Sequence, residues 1–184
     1  MKKILILFAV TALVLGTVGI AAAVVLDFED LSGNGPMPNP YHAIISWETD
    51  VWFYYDSPQP PYNPSSGVVR TYESSDPTPS WSFLTPVVYD GSYFSGFSDA
   101  TVQMDLYLGG NLVHSTGVFA PSATPTFFAT NYSGLVDAVT INTPMPDYWV
   151  MDDLTYNAVP IPGAVWLLSS GLIGLAGLRR FRKG

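Results

Sequence analysis

The chain contains no cysteine, and this absence excludes several kinds of protein. Disulfide-stapled scaffolds, thiol-dependent enzymes and cysteine-ligated zinc sites all need a side chain that the sequence does not supply. A folded domain of this chain must therefore be stabilised by packing, or by a metal that oxygen or nitrogen ligands hold.

Basic residues are also scarce. Of the seven Lys and Arg, two lie at the N-terminus and four at the C-terminus, which leaves Arg70 alone within residues 24–158. All fifteen Asp and Glu fall in that same stretch, so its formal charge is −14. A surface of this sign repels phosphate backbones, which excludes a nucleic-acid partner. Carboxylates suit Ca²⁺, although for any single acidic residue solubility is the simpler explanation.

Convincing helical periodicity is missing between the two ends. Pro, Gly, Ser, Asn and Asp recur every eight to twelve residues, and the intervening runs are rich in Val, Tyr, Phe, Trp and Thr. This pattern predicts an all-β fold, an antiparallel two-sheet sandwich of the jelly-roll type. The clearest element is a hairpin in which Thr101–Leu108 and Asn111–Phe119 flank the turn Gly109-Gly110.

Eight further strands are expected, and two proline-rich loops separate some of them. The strands are Val24–Phe28, His42–Trp47, Val51–Tyr55, Val68–Tyr72, Trp81–Phe83, Tyr93–Phe97, Leu135–Thr143 and Tyr148–Tyr156. The loops are Ser57–Ser66 and Glu73–Ser80. Binding residues often lie on surface loops of this kind, and plain connections are the alternative.

The N-terminus has the pattern of a secretory signal peptide. Lys2 and Lys3 precede an apolar run from Ile4 to Ile20, and Ala21-Ala22-Ala23 offers a cleavage site of small residues. We therefore expect residues 1–23 to be removed during export.

The C-terminus combines a proline-bearing motif, an apolar span and a basic tail. The span Gly163–Leu178 holds 16 uncharged residues, which as a helix would reach about 24 Å, against a hydrocarbon core of about 30 Å. A basic cluster then holds its end on the cytoplasmic side of a membrane. The motif is Val159, Pro160, Ile161 and Pro162, and the tail is Arg179, Arg180, Arg182 and Lys183.

This three-part terminus, residues 159–184, resembles the PEP-CTERM sorting signal of Gram-negative bacteria, in particular its VPLPA-type variants. Ile161 stands where the commonest form of the motif has glutamate. The resemblance implies an exosortase partner, transit through the inner membrane, an organism that makes exopolysaccharide, and delivery to the cell surface or extracellular matrix. An ordinary C-terminal membrane anchor is the alternative, in which Gly171, Gly174 and Gly177 would form a helix-packing stripe.

Residues 24–158 would form the exported domain, and acidic residues stand at both of its ends. These are Asp27 and Glu29 near the start and Asp152 and Asp153 near the finish. Because first and last strands of a jelly roll are commonly neighbours, we expect the two pairs to approach each other. The arrangement resembles extracellular jelly-roll modules such as MAM domains and galactose-binding-like carbohydrate-binding modules, in which terminal carboxylates can hold a structural cation. Calcium is thus one candidate cofactor, and backbone N–H groups and hydroxyls are the alternative partners.

The sequence contains none of the common catalytic motifs. His42 and His114 are isolated in the sequence, and there is no nucleophile elbow, P-loop, Rossmann glycine pattern or H-E-x-x-H motif. A polysaccharide lyase would need cations, and a glycoside hydrolase needs a carboxylate pair at a separation that sequence does not reveal. We predict that the protein is not an enzyme.

Aromatic residues favour binding instead, because their rings stack on sugar faces. We single out Trp52, Tyr54, Tyr55 and Tyr62, which border the first proline-rich loop. The leading hypothesis is a structural or adhesive matrix protein. The alternative is a carbohydrate-binding module for exopolysaccharide, and a glycoside hydrolase or lyase ranks below both.

Overall fold

The computed structural model describes residues 22–158 of the chain, and in this range all regular structure is β. No helix there is long and apolar enough to cross a membrane. The strands are β1 (Ala23–Leu26), β2 (Asn34–Pro36), β3 (Ile45–Trp47), β4 (Trp52–Tyr55), β5 (Arg70–Glu73), β6 (Ser80–Gly96), β7 (Gln103–Leu108), β8 (Asn111–Ser115), β9 (Thr126–Ala129), β10 (Val136–Asn142) and β11 (Trp149–Ala158).

Of the two predicted terminal segments, only residues 22 and 23 of the signal peptide fall within the described range. Strand β1 begins at Ala23, so the proposed signal-peptide boundary falls one residue inside it. The rest of residues 1–23, and the sorting motif, apolar span and basic tail within 159–184, lie outside the described residues.

The glycine-turn hairpin is confirmed. Strand β7 ends at Leu108 and β8 begins at Asn111. Gly109 and Gly110 between them have φ values of 58° and 76°, the left-handed conformation that a two-residue hairpin turn requires at both positions.

Strand β6 differs most from expectation. The separate strands predicted at Trp81–Phe83 and Tyr93–Phe97 belong to one strand of 17 residues. Its first half pairs with β3 and β10, and its second half pairs with β11 and β9. Through this exchange of partners all eleven strands join one hydrogen-bonded sheet, in the order β2-β4-β5-β11-β6-β10-β7-β8, with β1 on β11 and with β3 and β9 on β6.

All strand pairs are antiparallel, which confirms the fold class at that level. A single core contains residues from strands far apart in the sheet order, such as Trp52 of β4, Leu106 of β7 and Ile141 of β10. The sheet must therefore fold over onto itself, as in a β-sandwich. The jelly-roll arrangement stays a prediction.

The first and last strands are neighbours, as expected. Strand β1 pairs with β11 from Ala23 opposite Asn157 to Leu26 opposite Leu154. Strand β11 is also bonded to β6 and β5, and six consecutive residues from Trp149 to Leu154 are buried. Both faces of this part of the strand are therefore covered.

Tryptophan forms the centre of the core. The indole rings of Trp47, Trp52, Trp81 and Trp149 are each at most 3% exposed. The centroid of the Trp52 ring lies 5.1, 5.6 and 6.1 Å from those of the other three, a spacing typical of favourable aromatic pairs.

Candidate functional site

A groove of about 390 Å³ opens on the surface of the neighbouring strands β2, β4, β5 and β11, within the range usual for ligand sites. Its walls come from those strands, from the first proline-rich loop and from the loop before β11. It is lined by Asn34, Tyr55, Ser57, Gln59, Tyr62, Tyr72, Asp147, Trp149 and Val150.

Strand alternation decides which residues of β4 reach the groove. Trp52 and Tyr54 pack with the core, and the indole N–H of Trp52 donates to the carbonyl oxygen of Ser80 at 2.8 Å. Tyr55 projects from the opposite face and lines the groove. Of the four aromatic residues predicted for ligand binding, the structure thus brings Tyr55 and Tyr62 together, while Trp52, at 1% exposure, lies in the core.

Residues far along the chain complete the lining, and the sequence reasoning missed them. Tyr72 is on β5, which pairs with β4 so that Phe53 lies opposite Tyr72 and Tyr55 opposite Arg70. Asn34 lies opposite Tyr55 across the β2 ladder. The sequence did carry one signal: Phe53 and Tyr55 alternate with the core residues of β4, which indicates that they lie on the opposite face of the strand. The partner strands could not be named without the register.

Three phenols and four exposed polar side chains line the groove. Burial raises the pKa of Tyr55, Tyr62 and Tyr72 above the ordinary value, so these hydroxyls stay protonated at neutral pH. The hydroxyl of Tyr62 donates to the carbonyl oxygen of Asp147 and can accept a further hydrogen bond, and a phenol such as Tyr55 or Tyr72 can both donate and accept. The exposed polar side chains are Asn34, Ser57, Gln59 and Asp147. The groove therefore offers flat apolar faces together with neutral donors, acceptors and one carboxylate.

Arg70 lies behind the groove and is 1% exposed. Its guanidinium carbon is 3.9 Å from the centre of the Tyr55 ring, a cation–π contact. The Nη1 atom donates to the carbonyl oxygen of Val68 at 2.7 Å, and Nη2 donates to that of Ser57. Arg70 thus supports the Tyr55 ring and one end of the first proline-rich loop, and is too buried to meet a ligand's charge.

That loop is fixed along its length. The Tyr62 hydroxyl donates to the carbonyl oxygen of Asp147 at 2.8 Å, and the Asn63 side-chain amide donates to that of Ala123 at 2.6 Å. The Ser95 hydroxyl donates to the carbonyl oxygen of Asn63 at 2.5 Å. The prediction of an irregular segment is confirmed, and its groove-facing residues are held in place before any ligand arrives.

The opposite wall depends on Glu73, which is fully buried. Its carboxylate accepts the backbone N–H of Asp147, and that of Asp76 at 3.0 Å. The carboxylate of Asp147 accepts the N–H and the hydroxyl of Ser75 at 3.1 and 2.7 Å. Burial raises the pKa of Glu73 from 4.5 to about 7. Glu73 is therefore a buried support for the wall and does not reach the groove.

The acidic residues near the end of the domain bind the far end of the loop. The Oδ2 atom of Asp152 accepts the backbone N–H groups of Ser65 and Ser66 at 2.8 and 3.2 Å. The single hydroxyl hydrogen of Ser65 is shared between Asp152 and Asp153, whose oxygens lie 2.9 and 2.8 Å from the Ser65 oxygen, and the Ser66 hydroxyl donates to Asp153 at 2.9 Å. Burial, followed by the charge of Asp153, raises the pKa of Asp152 to about 7.

Near the start of the domain, Glu29 binds the backbone that directly follows the same loop. Its carboxylate accepts the N–H groups of Val68 and Val69 at 2.9 and 2.7 Å, and Asp27 accepts the N–H of Glu29 at 3.2 Å. Within residues 22–158 no three acidic or histidine side chains come together as metal ligands. The carboxylates of Glu29, Asp152 and Asp153 have N–H and O–H donors in this structure, and the calcium site predicted at these residues and Asp27 stays a prediction.

The two histidines are apart from the groove residues. The Nε2 atom of His42 lies 2.9 Å from a carboxylate oxygen of Asp30, and the Nε2 atom of His114 lies 3.0 Å from the carbonyl oxygen of Thr130. Neither is hydrogen-bonded to a serine or threonine hydroxyl in the described structure. The groove thus contains no histidine-activated nucleophile.

Comparison with known proteins gives little further information. No protein-family model matches the chain, and no curated protein matches it. Among solved structures, it is similar to TmCBM61 in complex with β-1,4-galactotriose, with 12% sequence identity and a TM-score of 0.39. The match covers 62% of this chain and 86% of that one. A similarity of this size decides neither the fold nor the ligand.

Proposed function

We propose that residues 24–158 form a carbohydrate-binding module that takes an uncharged polysaccharide into the groove. The observation that carries this proposal is the convergence of Tyr55, Tyr62 and Tyr72 with Asn34 and Gln59 in one fixed groove. Aromatic faces and amide or phenol hydrogen bonds are the two contacts that a pyranose ring needs. Hydrogen bonds hold the first proline-rich loop and the loop before β11 in place in the free protein. Ligand binding therefore costs less conformational entropy.

The charge of the site supports an uncharged ligand. Asp147 is exposed at the groove, and the sole Lys or Arg of the described region, Arg70, is buried beneath Tyr55. A uronic-acid polymer would meet a carboxylate and no accessible cation, in a domain of formal charge −14. Electrostatic repulsion therefore disfavours anionic polysaccharides.

Binding without turnover agrees with the same geometry. Glu73, the carboxyl group near the groove with a raised pKa, is fully buried. A general acid must come within hydrogen-bond reach of the bond that it protonates. We therefore propose a binding protein rather than a hydrolase or lyase.

A microarray of neutral gluco-, galacto-, manno- and xylo-oligosaccharides, with alginate and polygalacturonate as anionic comparators, tests this function. The full-length protein, in a detergent without a sugar headgroup, should bind at least one neutral series saturably and neither anionic polymer. Tyr62→Ala should weaken that binding, and Leu84→Ala, at an exposed position on β6, should not. Absence of binding would instead favour the structural or adhesive matrix protein.

We also propose the route that the termini indicate: export through the signal peptide, sorting by an exosortase at the inner membrane, and release to the cell surface or matrix. The acidic surface of the domain would keep an exported protein soluble. Mass spectrometry of the mature protein from its native host tests both processing events. A mature form that still ends at Gly184 would indicate a permanent anchor.

A further inference from the structure

We propose that the sugar site continues beyond the groove onto a platform made by the rings of Phe97 and Tyr148, so that the protein binds the interior of a polysaccharide chain. This inference rests on the proposed carbohydrate-binding function. The two residues are the aromatic members of the exposed large hydrophobic set in the described structure, at 42% and 40% exposure. Their ring centroids are 5.3 Å apart.

The platform is continuous with the groove through Tyr62. The Tyr62 ring lines the groove and stands edge-on to Phe97, with centroids 5.5 Å apart. Successive rings are thus separated by about the length of one pyranose unit. A chain that leaves the groove past Tyr62 would meet Phe97 and then Tyr148, whose rings are inclined to each other by 52°.

The backbone holds the platform as firmly as the groove. The N–H of Phe97 donates to the carbonyl oxygen of Tyr148 at 3.0 Å. At Gly96, φ is 156°, and a Cβ would lie 2.3 Å from that same oxygen, so the two segments could not approach so closely with a larger residue. The backbone that carries the two exposed rings is therefore held together at this point.

The polar side chains near the two rings favour a polysaccharide over an apolar protein partner. The platform borders a groove with exposed amide and carboxylate side chains, Asn34, Gln59 and Asp147. Two rings beside so polar a rim suit a ligand that alternates apolar faces with hydroxyl groups. They are small for the apolar centre of a stable protein interface.

Calorimetric titration of the full-length protein with dimers and hexamers of the neutral gluco-, galacto-, manno- and xylo- series tests the platform. The hexamer of a bound series should bind about tenfold tighter than its dimer, or roughly 1.4 kcal/mol. The double change Phe97→Ala with Tyr148→Ala should abolish that difference and leave dimer affinity within about twofold. Phe97→Leu, which keeps an apolar side chain but no flat ring, should weaken hexamer binding alone.

The outcomes separate the two proposals. If dimers and hexamers bind but the platform changes leave their ratio intact, the platform is wrong and the groove stands. If no series binds, both proposals fail. If the double change alters the oligomeric state in light scattering, the platform is an interface between copies of the chain, and this inference is overturned.

Discussion

Two groups of aromatic residues in this domain differ in their surroundings. Trp47, Trp52, Trp81 and Trp149 pack against one another at no more than 3% exposure, although Trp149 also borders the groove, whereas the more exposed rings of the groove and platform belong to Tyr and Phe. On β4 and β5 the difference follows from position along the strand, since neighbouring residues point to opposite sides. Tyr62, Phe97 and Tyr148 lie in the connections between strands. Aromatic content alone therefore does not indicate a binding surface, and the place of each ring in its strand or loop has to be known.

The sharpest test of this comparison is Trp52→Ala against Phe97→Ala. Removing a buried indole that contacts three others should cost about 3 to 5 kcal/mol of unfolding free energy. Removing the half-exposed ring of Phe97 should cost less than about 1 kcal/mol. Urea unfolding of the full-length variants, followed by far-ultraviolet circular dichroism, measures both. Equal losses would contradict the division into core and surface aromatics.

The sequence predicted much of the fold because its strongest signals are local. The glycine-turn hairpin and the adjacency of β1 and β11 are confirmed. Strand β2 was missed because Asn34-Gly35-Pro36 has the composition of a turn, and it becomes a strand only by pairing with β4. The two strands predicted within β6 form one continuous strand, which pairs with β3 in its first half and with β11 in its second half.

The candidate site was harder to predict from the sequence than the fold, because long-range contacts bring several of its residues together. Tyr55 and Tyr62 adjoin the first proline-rich loop in sequence, so proximity along the chain sufficed to name them. Tyr72 and Asp147 reach the groove through strand pairing and through the Glu73 support, which are long-range contacts. Backbone N–H groups were among the alternative partners predicted for Asp152, and Ser65 and Ser66 provide them.

The buried carboxyl groups make the stability of the folded domain depend on pH. Burial raises the pKa of Glu73 from 4.5 to about 7, whereas the unfolded chain ionises it near the ordinary value. The folded state is therefore favoured below about pH 4.5 by this group and loses that advantage as the pH rises through 7. The loss is on the order of 3 kcal/mol, since one pKa unit corresponds to about 1.4 kcal/mol, and Asp152 acts in the same direction.

Urea unfolding of the wild type and Glu73→Gln between pH 5 and 8 measures this dependence. The amide cannot ionise, so the variant should show a clearly flatter profile. Asp76→Asn is a suitable comparison, because Asp76 lies in the same wall but on a less buried position. A wild-type profile that rises through neutral pH would contradict the assignment.

A smaller effect is expected where the aromatic rings meet the proposed ligand. Tyr62→Ala removes both the ring and the hydrogen bond to Asp147, and should weaken binding to the best neutral oligosaccharide of the microarray about tenfold. Tyr62→Phe keeps the ring and loses a bond of about 1 kcal/mol, so its affinity should lie between those of the wild type and Tyr62→Ala. If both variants bind equally weakly, the hydroxyl rather than stacking carries the contact.

The smallest effect is expected from calcium. The carboxylates of Asp152, Asp153 and Glu29 are already occupied by backbone N–H groups and serine hydroxyls, and a cation would have to displace those donors. Addition of millimolar Ca²⁺ to the chelator-treated full-length protein should shift the midpoint of thermal unfolding by less than about 1 °C, since no binding means no mass-action stabilisation. Magnesium at equal ionic strength is the control. A calcium-specific rise of several degrees would show that these carboxylates rearrange around a metal, and the terminal acidic residues would then stabilise the domain through an ion rather than through the loop.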